Sequence, residues 1–477
     1  MKKQDILRWI DENSAVFTQL SDAIWDEPEL SLQETKAAER YCEALEKLGF
    51  AVQRNVAGIE TAFTGTFGSG RPVIGILGEF DALDGLRQTA GALCREGGDG
   101  AGHGCGHNLL GAGALAAAAA IKAYLEANGG GTVIFYGCPG EEGGAGKAFM
   151  AQKHLFEELD AALTWHPDDV NEVTTGSCLA SYQVEYRFTG VSAHAAGCPH
   201  LGRSALDAAE LMNVGAQFLR EHIAPYDGLH YAITDAGGTS PNVVQPGAQV
   251  LYMLRSDNVP HILELAKRVD DIAKGAALMT GTTVTRKFID GSSDVLPNGT
   301  LERLAYENFA SVSLPAYTQE ELAFAEAISN TCPKDKLPGF ATAFDLEIEE
   351  FVQANTQNGA RCMNDFLMPY FHSRMISPGS TDVGDVSRQT PTVQIHTATW
   401  PSGTPGHSWQ AVSVGKSTIA HKGMLLAAKV LAQTAIDLLE KPAILKQARE
   451  EFERLSKDGY VCPIEDGAKP VIAGEKM

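Results

Sequence analysis

The sequence predicts an α/β fold, with a mixed, mostly parallel sheet flanked by helices and a smaller α+β unit inserted into it. Two observations lead to this prediction. Early in the chain, short continuous apolar runs alternate with segments of helical periodicity, which is the pattern of a largely parallel sheet. After about residue 180, apolar and polar residues alternate instead, as in strands that have one solvated face.

Residues 4–49 have apolar residues at helical spacing and are expected to form helices. Three continuous apolar runs then fit strands that are buried on both faces: 72–77, 132–136 and 161–165. Between the first two runs lies an apolar segment, 109–125, that stops before three consecutive glycines. Asn108 precedes this segment and is a good N-cap, so a buried helix is predicted to begin there.

Residues 180–295 have the order β-α-β-β-α-β, which is that of a ferredoxin-like unit. Its expected elements are the strand 182–188, the helix 203–222, the strands 229–234 and 249–255, the helix 262–278 and the strand 282–289. We therefore expect an inserted domain at 180–295 and a main domain formed by 1–179 and 296–477.

The C-terminal part of the chain gives fewer signals. Residues 296–375 are expected to be helical and polar. Periodicity returns with a strand at 391–398 and a long helix at 418–439. The last seventeen residues are expected to form a loose tail.

The composition narrows the possible partners. Lys and Arg number 38 and Asp and Glu number 60 in 477 residues, which gives a formal charge of −22. A chain this acidic is a poor partner for nucleic acid or for an anionic membrane, and an anionic substrate would need a local cation. Nine unevenly spaced cysteines and an N-terminus without a signal-peptide pattern favour the cytoplasm.

Residues capable of catalysis or metal binding lie just after the predicted strands of the main sheet or at the start of the helix that follows. They are Asp81 after the first strand, the segment 103–107 (HGCGH) before the buried helix, Glu141 and Glu142 after the second strand, His166 after the third and His407 after the late strand. Sites in open α/β sheets assemble at the carboxyl ends of the strands. The repeated position therefore predicts one common site.

The spacing within these segments favours a metal site. Cys105 and His107, separated by one glycine, can face the same ion, and a helix N-terminus stabilises a thiolate. Of the adjacent acids Glu141 and Glu142, one can bind metal while the other acts as a general base. Two alternatives stay open: Cys105 as a nucleophile with a histidine base, and a non-catalytic subunit.

The motifs HGCGHN, PGEEGG, WHP and GTPGH together resemble the dinuclear metallo-amidohydrolases, which include aminoacylases and glutamate carboxypeptidases. The resemblance covers almost the whole chain. It is strongest to the branch with a bridging cysteine, which contains hippurate, indole-acetyl-amino-acid and aminobenzoyl-glutamate hydrolases. It implies a metallopeptidase-like catalytic domain with an inserted lid and dimerisation domain.

The resemblance also implies two divalent ions in each protomer, zinc or manganese, and assigns roles to the residues. Cys105 would bridge the ions, and the other ligands would be His107, Glu142, His166 and His407. Glu141 would be the general base and acid, and Asp81 would orient a ligand. Glu79 and Asn108 depart from residues that are common in the family, where His and Asp often stand.

Three residues of the inserted unit match further family positions. The resemblance implies that His194, together with Asn242, stabilises the oxyanion in the active site of a neighbouring subunit. It implies that Arg255 receives the substrate carboxylate. Without the resemblance, the preferred interpretation would be that His194 packs within its own domain and that Arg255 is a charged residue on the surface of a strand.

The expected protein is a cytoplasmic metallo-amidohydrolase that cleaves N-acyl amino acids, above all aryl-acyl ones such as p-aminobenzoyl-glutamate. Alternatives are another N-acyl amino acid or a peptide as substrate, or a non-catalytic partner subunit. The expected assembly is a homodimer or a heteromer with a paralogous subunit.

Overall fold

A computed structural model describes residues 1–332, 346–357 and 359–472. The strands are β1 Ala51–Arg54, β2 Phe63–Ser69, β3 Val73–Glu79, β4 Gly131–Cys138, β5 Ala161–Asp168, β6 Glu172–Val173, β7 Ser177–Cys178, β8 Ala180–Thr189, β9 Gly228–Asp235, β10 Gly247–Ser256, β11 Thr283–Ser292, β12 Ile376–Ser377 and β13 Thr392–Ala398.

The α-helices are α1 Asp5–Asp26, α2 Thr35–Lys47, α3 His107–Asn128, α4 Gly146–Gln152, α5 Ala205–Leu219, α6 Val259–Thr280, α7 Gly299–Ser311, α8 Gln319–Ser329, α9 Leu346–Thr356, α10 Val383–Ser387, α11 Trp409–Val414, α12 Thr418–Glu440 and α13 Pro442–Leu455. Short 3-10 helices lie at Val56–Gly58, Pro199–Leu201 and Arg220–His222.

The main sheet has seven strands in the order β1-β2-β4-β3-β5-β13-β6. Its four central strands, β4, β3, β5 and β13, are parallel, and the strands outside them join antiparallel. The mixed, mostly parallel sheet predicted from the sequence is confirmed. Because the central strands run the same way, the segments that follow them meet at one edge of the sheet.

Helix α3 lies inside the core, packed between the main sheet, α1 and α12. It is long and apolar enough to cross a membrane, but 89% of its most apolar window is buried within the protein, so it is a core helix. Glycine at position 111 allows this close packing, because a Cβ there would lie 2.7 Å from the carbonyl oxygen of Glu79 on β3.

The predicted N-cap of α3 is wrong. The helix begins at His107, and its N-cap is Gly106 in a left-handed conformation, φ 77°. Asn108 lies inside the first turn and is fully buried. Its amide donates to the Ser21 hydroxyl at 3.0 Å and to the Gly415 carbonyl at 3.2 Å, so it joins α3 to α1 and α11 instead.

The second sheet is antiparallel, with the order β11-β8-β10-β9. With α5 and α6 it shows the β-α-β-β-α-β order predicted for the inserted unit. Alternate residues of β8 and β10 face the apolar residues of these helices, as the period-two pattern indicated. Within the described part of the chain, β9 is an edge strand of this sheet.

Between residues 296 and 375, the described part contains the helices α7, α8 and α9, and 359–375 has neither helix nor strand; residues 333–345 and 358 lie outside the described chain. The prediction of a loose C-terminal tail is wrong for its described part. Ile464 is only 4% exposed, and Glu465 forms an ion pair with Arg286 of β11 at 2.7 Å. Its last five residues, 473–477, lie outside the described chain.

Candidate metal centre

Side chains with metal-binding atoms converge at the carboxyl ends of β3, β4, β5 and β13. They form three overlapping groups in which the donor atoms lie within 4.8 Å of one another: Cys105, His107 and His166; Cys105, Glu142 and His407; and Glu79, His107 and Glu141. The structure therefore brings all five sequence-predicted ligands together, along with Glu141 and Glu79.

The histidines are oriented by hydrogen bonds on the side away from the cluster. His107 is fully buried, and its Nδ1 donates to Asp81 Oδ1 at 2.9 Å, so its Nε2 faces the other donors. His166 Nδ1 donates to the Pro167 carbonyl at 2.7 Å, and its Nε2 lies 3.4 Å from Cys105 Sγ. Such hydrogen bonds fix the ring nitrogen that is free to bind a metal.

The loop after β4 separates the two adjacent glutamates. The backbone N–H of Glu142 donates to Asp81 Oδ2, and Gly140 N–H donates to the buried carboxylate of Glu34, both at 2.9 Å. Glu142 Oε2 then lies 3.4 Å from His407 Nε2, while Glu141 belongs to the group on the β3 side. Adjacent carboxylates thus face different parts of the cluster.

His407 comes from the loop after β13 and is the least buried member of the cluster. Its side chain is 56% exposed, and its backbone is left-handed, with φ 54°. The backbone N–H of His407 donates to the Gly104 carbonyl at 2.9 Å. This bond joins the late loop to the HGCGH segment and brings the imidazole to Glu142.

The electrostatic surroundings distinguish the two glutamates. Burial, together with the charges of Glu79 and Asp382, raises the pKa of Glu141 well above its usual value. Burial also raises the pKa of Glu142, but the hydrogen bond from His407 and the charge of His107 outweigh it, and the net shift is downward. A carboxyl of raised pKa beside an ionised one suits proton transfer next to a ligand.

Burial and the neighbouring His107 lower the pKa of His166 to about 4, which keeps this imidazole neutral, the form that binds metal. Several buried atoms that face the cluster have no hydrogen-bond partner among the described residues: Glu79 Oε2, His107 Nε2 and Glu142 Oε1. A set of sulfur, nitrogen and carboxylate donors with unpartnered atoms fits a divalent transition metal.

The sequence profile described as Peptidase family M20/M25/M40 matches residues 75–395 of this chain. The chain belongs to this family. It is a metal-dependent hydrolase that binds divalent metal, and the donor cluster is the candidate site for that metal. Family membership decides against the alternative in which Cys105 acts as a nucleophile without metal.

Relatives of this M20 chain support the same family. It is 45% identical to one of the subunits of p-aminobenzoyl-glutamate hydrolase from Escherichia coli (strain K12), over 98% of this chain and 99% of that protein. It is 29% identical to Xaa-Arg dipeptidase of Mus musculus, over 93% of this chain and 90% of that protein.

Solved structures share the fold. An aminobenzoyl-glutamate utilization protein from Klebsiella pneumoniae superposes with a TM-score of 0.57 at 16% identity, covering 89% of this chain and 98% of that one. The Bacillus subtilis YXEP protein, a dinuclear metal-binding M20 peptidase, superposes with a TM-score of 0.54 at 18% identity, covering 90% and 99%.

Sequence reasoning missed a buried ion-pair network beside the M20 cluster. Lys147 is fully buried, and its Nζ lies 2.8 Å from Glu79 Oε1 and 2.5 Å from Asp382 Oδ1. The available signal was a lysine six residues after Glu141, in a run of small residues that predicts close packing. Nothing in the sequence indicated that Asp382, 235 residues away, would pair with it.

The predicted residues of the inserted unit lie outside the donor groups formed by the described residues. His194 is exposed, and its Nδ1 accepts hydrogen bonds from the backbone N–H groups of Ala196, at 3.2 Å, and Gly197, at 3.0 Å. Ala195 N–H donates to the Asn242 carbonyl at 2.9 Å, so both predicted oxyanion residues belong to one loop cluster.

Arg255 lies on β10, facing the segment that leads to Asp382. Its Nη1 donates to the Ser380 hydroxyl at 2.5 Å. A cavity of about 230 Å³ extends from Ser380 to His396 on β13. The His396 ring centroid is 5.9 Å from that of His166, so one wall of the cavity lies close to the donor cluster.

Asp81→Asn should weaken metal binding by about 10–100-fold, the usual effect of removing a partner that orients a ligand. Asp81 accepts from His107, from the Glu142 backbone and from the Ser31 hydroxyl, and one amide oxygen cannot replace both carboxylate oxygens. Competition between the protein and a chromophoric chelator measures the affinity. Asp84→Asn, at an exposed residue of the same loop, is the matched control. Equal affinities for the two variants would contradict the role of Asp81.

Proposed function

We propose that this M20 hydrolase cleaves the amide bond between an aryl-acyl group and an amino acid, and that its substrate is p-aminobenzoyl-glutamate, yielding p-aminobenzoate and glutamate. The observation that carries the proposal is the position of the Glu141 carboxyl beside the cluster that contains Cys105 and Glu142. Burial raises the pKa of this carboxyl. The 45% identity to the E. coli p-aminobenzoyl-glutamate hydrolase protein over nearly the whole chain supports this substrate.

The proposed centre would hold two divalent ions, zinc or manganese. The proposed ligands are Cys105, which would be shared by both ions, and His107, Glu142, His166 and His407. Bound ions would polarise the scissile carbonyl and lower the pKa of water at the site. The overlap of the donor groups at Cys105 supports its bridging position, because this thiol belongs to a group with His166 and to another with Glu142.

Glu141 is the proposed general base and acid. It takes a proton from the attacking water and returns it to the leaving amine. A pKa raised by burial supports this role, because a carboxyl must hold the proton between the two steps. Asp81 is a positioning residue that orients His107 and the loop that carries Glu141.

His194 and Asn242 are proposed to stabilise the oxyanion in a neighbouring subunit. The tautomer of His194 supports this role. Backbone N–H groups donate to its Nδ1, so the ring proton is on Nε2, where it can be donated to an oxygen. Arg255 is proposed to receive the substrate carboxylate, with the adjoining cavity receiving part of the substrate.

We propose a cytoplasmic oligomer built through the inserted domain, with boundaries at 180 and 295. Its edge strand β9 exposes Tyr231 and Ile233, and helix α5 exposes Phe218 to 70%. Such an edge and apolar surface suit pairing with another protomer. A homodimer and a heteromer with a paralogue both fit. The second is supported by 26% identity to a Haemophilus influenzae homologue of a different p-aminobenzoyl-glutamate hydrolase subunit.

One alternative function is favoured by a relative of this chain, and another is disfavoured by the donor cluster. Similarity to Xaa-Arg dipeptidase over 93% of the chain favours a dipeptide as the second candidate substrate. A non-catalytic partner role is disfavoured, because Glu141 and the full set of metal donors are present and close together.

Glu141→Gln should retain the fold and the metal content but lose about 10²–10⁴-fold in turnover, the contribution of a general base. The assay follows hydrolysis of p-aminobenzoyl-glutamate, benzoyl-glutamate and an Xaa-Arg dipeptide by the metal-loaded protein. Glu157→Gln, at an exposed acid after α4, is the control. Near-normal turnover in folded, metal-loaded Glu141→Gln would rule out the base. Preference for the dipeptide would favour the second candidate.

Arg255→Ala should reduce kcat/KM for p-aminobenzoyl-glutamate by at least about 10-fold, because a carboxylate would lose a charge-assisted bidentate partner. The loss should be much smaller for the substrate whose α- and γ-carboxylates are both amidated. Arg268→Ala, an exposed arginine on α6, serves as the control. An equal loss on both substrates would mean that the arginine has a structural role, through its contacts with Ser380 and Pro378.

His194→Ala and Glu141→Gln should each be nearly inactive as pure assemblies but should recover part of the activity when mixed. In a mixed dimer, one active site has both defects and the other has neither, if His194 acts across the interface. Exchange of protomers is verified by mass spectrometry of differently tagged chains. Exchange without recovery would contradict donation between protomers.

A further inference from the structure

Glu79 ends β3, is 2% exposed, and has two oxygens in different surroundings. Oε1 pairs with Lys147 Nζ at 2.8 Å. Among the described residues, neither Oε2 nor His107 Nε2 has a hydrogen-bond partner, and the two atoms lie 3.3 Å apart, within ion-pair distance if the imidazole is protonated. A buried carboxylate oxygen without a hydrogen bond is costly, so a cation at this point would stabilise both atoms.

The spacing of these atoms matches that of two ligands on one ion. Donors that each lie about 2.0–2.1 Å from a zinc ion, at the tetrahedral angle, are separated by about 3.3 Å. Glu79 Oε2 and His107 Nε2 are 3.3 Å apart. A proposed pair of ligands in the same centre, His407 Nε2 and Glu142 Oε2, has the similar separation of 3.4 Å.

Glu79 reaches this position because it is the last residue of β3, and Asp81 follows two residues later. The two carboxylates approach the same imidazole, with Asp81 at Nδ1 and Glu79 at Nε2 of His107. One residue holds the ring and the other lies where the ring would bind its ion.

We infer that Glu79 is a further ligand of the centre, binding through Oε2 the same divalent ion as His107 Nε2. The inference rests on the metal centre proposed above. It adds an oxygen donor from β3 to a set otherwise supplied by β5, by the segment that leads into α3 and its first residue, and by the loops after β4 and β13.

Lys147 fixes the orientation of the Glu79 carboxylate. Its buried ammonium lies between Glu79 and Asp382, and Asp382 Oδ2 also accepts the Lys147 backbone N–H at 2.8 Å. Burying a carboxylate is costly unless it is paired in this way. The ammonium holds Oε1 and leaves Oε2 directed toward His107.

Cobalt(II) binding to the metal-free full chain tests the inference without relying on activity. Visible absorption of bound Co²⁺ reports its ligands and coordination number, and elemental analysis gives the stoichiometry. Glu79→Gln should bind one ion at least about 100-fold more weakly, beyond the usual loss for an orienting partner, and should change the spectrum. Glu79→Asp retains the charge but is shorter. It should show the same two changes to a smaller degree, which keeps the test valid if the glutamine variant does not fold.

Asp382→Asn is the matched control, because it disturbs the same lysine while leaving Glu79 in place. This variant should keep the wild-type spectrum. A wild-type spectrum and affinity in Glu79→Gln would overturn the inference, as would an identical spectral change in Asp382→Asn. Failure of the wild-type chain to bind any Co²⁺ would overturn the proposed centre itself, which separates the two failures.

Discussion

The arrangement of the centre depends on one buried carboxylate, that of Asp81. Oδ1 accepts from His107 at the start of α3, and Oδ2 accepts from the Glu142 backbone and the Ser31 hydroxyl. Burial raises the pKa of Asp81, but the charge of His107 and these hydrogen bonds lower it to about 2. Because one ionised group joins the end of β3 to three other segments, the donor side chains keep their relative positions.

Charge balance explains why so many acids can be buried together. Glu79, Glu141, Glu142 and Asp382 lie near one another, with Lys147 as the lysine that pairs with two of them. Uncompensated buried carboxylates are strongly unfavourable, so divalent cations bound at the proposed centre would balance negative charge that Lys147 leaves. The proposed centre would therefore combine a permanent cation from the chain with exchangeable ones from solution.

The sequence was informative where a signal is local. Apolar runs placed the parallel strands, and motifs that follow them placed Cys105, Glu142 and His166 at one edge of the sheet. The sequence did not predict the contacts between segments that are far apart along the chain. Asn108 has the residue type of an N-cap, but packing of α3 against α1 and α11 uses its amide in the core. Likewise, the ion pair between Lys147 and Asp382 leaves no periodic pattern in the sequence from which it could be predicted.

His407 differs from the other members of the cluster in its exposure and its backbone conformation, and both properties affect how metal ions would bind and dissociate. Its side chain is half exposed, and its left-handed backbone, φ 54°, is a conformation that costs a non-glycine residue about 1–3 kcal/mol. The other donors lie on buried, tightly hydrogen-bonded segments. Detachment of this one imidazole would open the cluster to water without disturbing the rest, so the kinetics of metal loading and loss should be set by the loop after β13 rather than by the rigid interior.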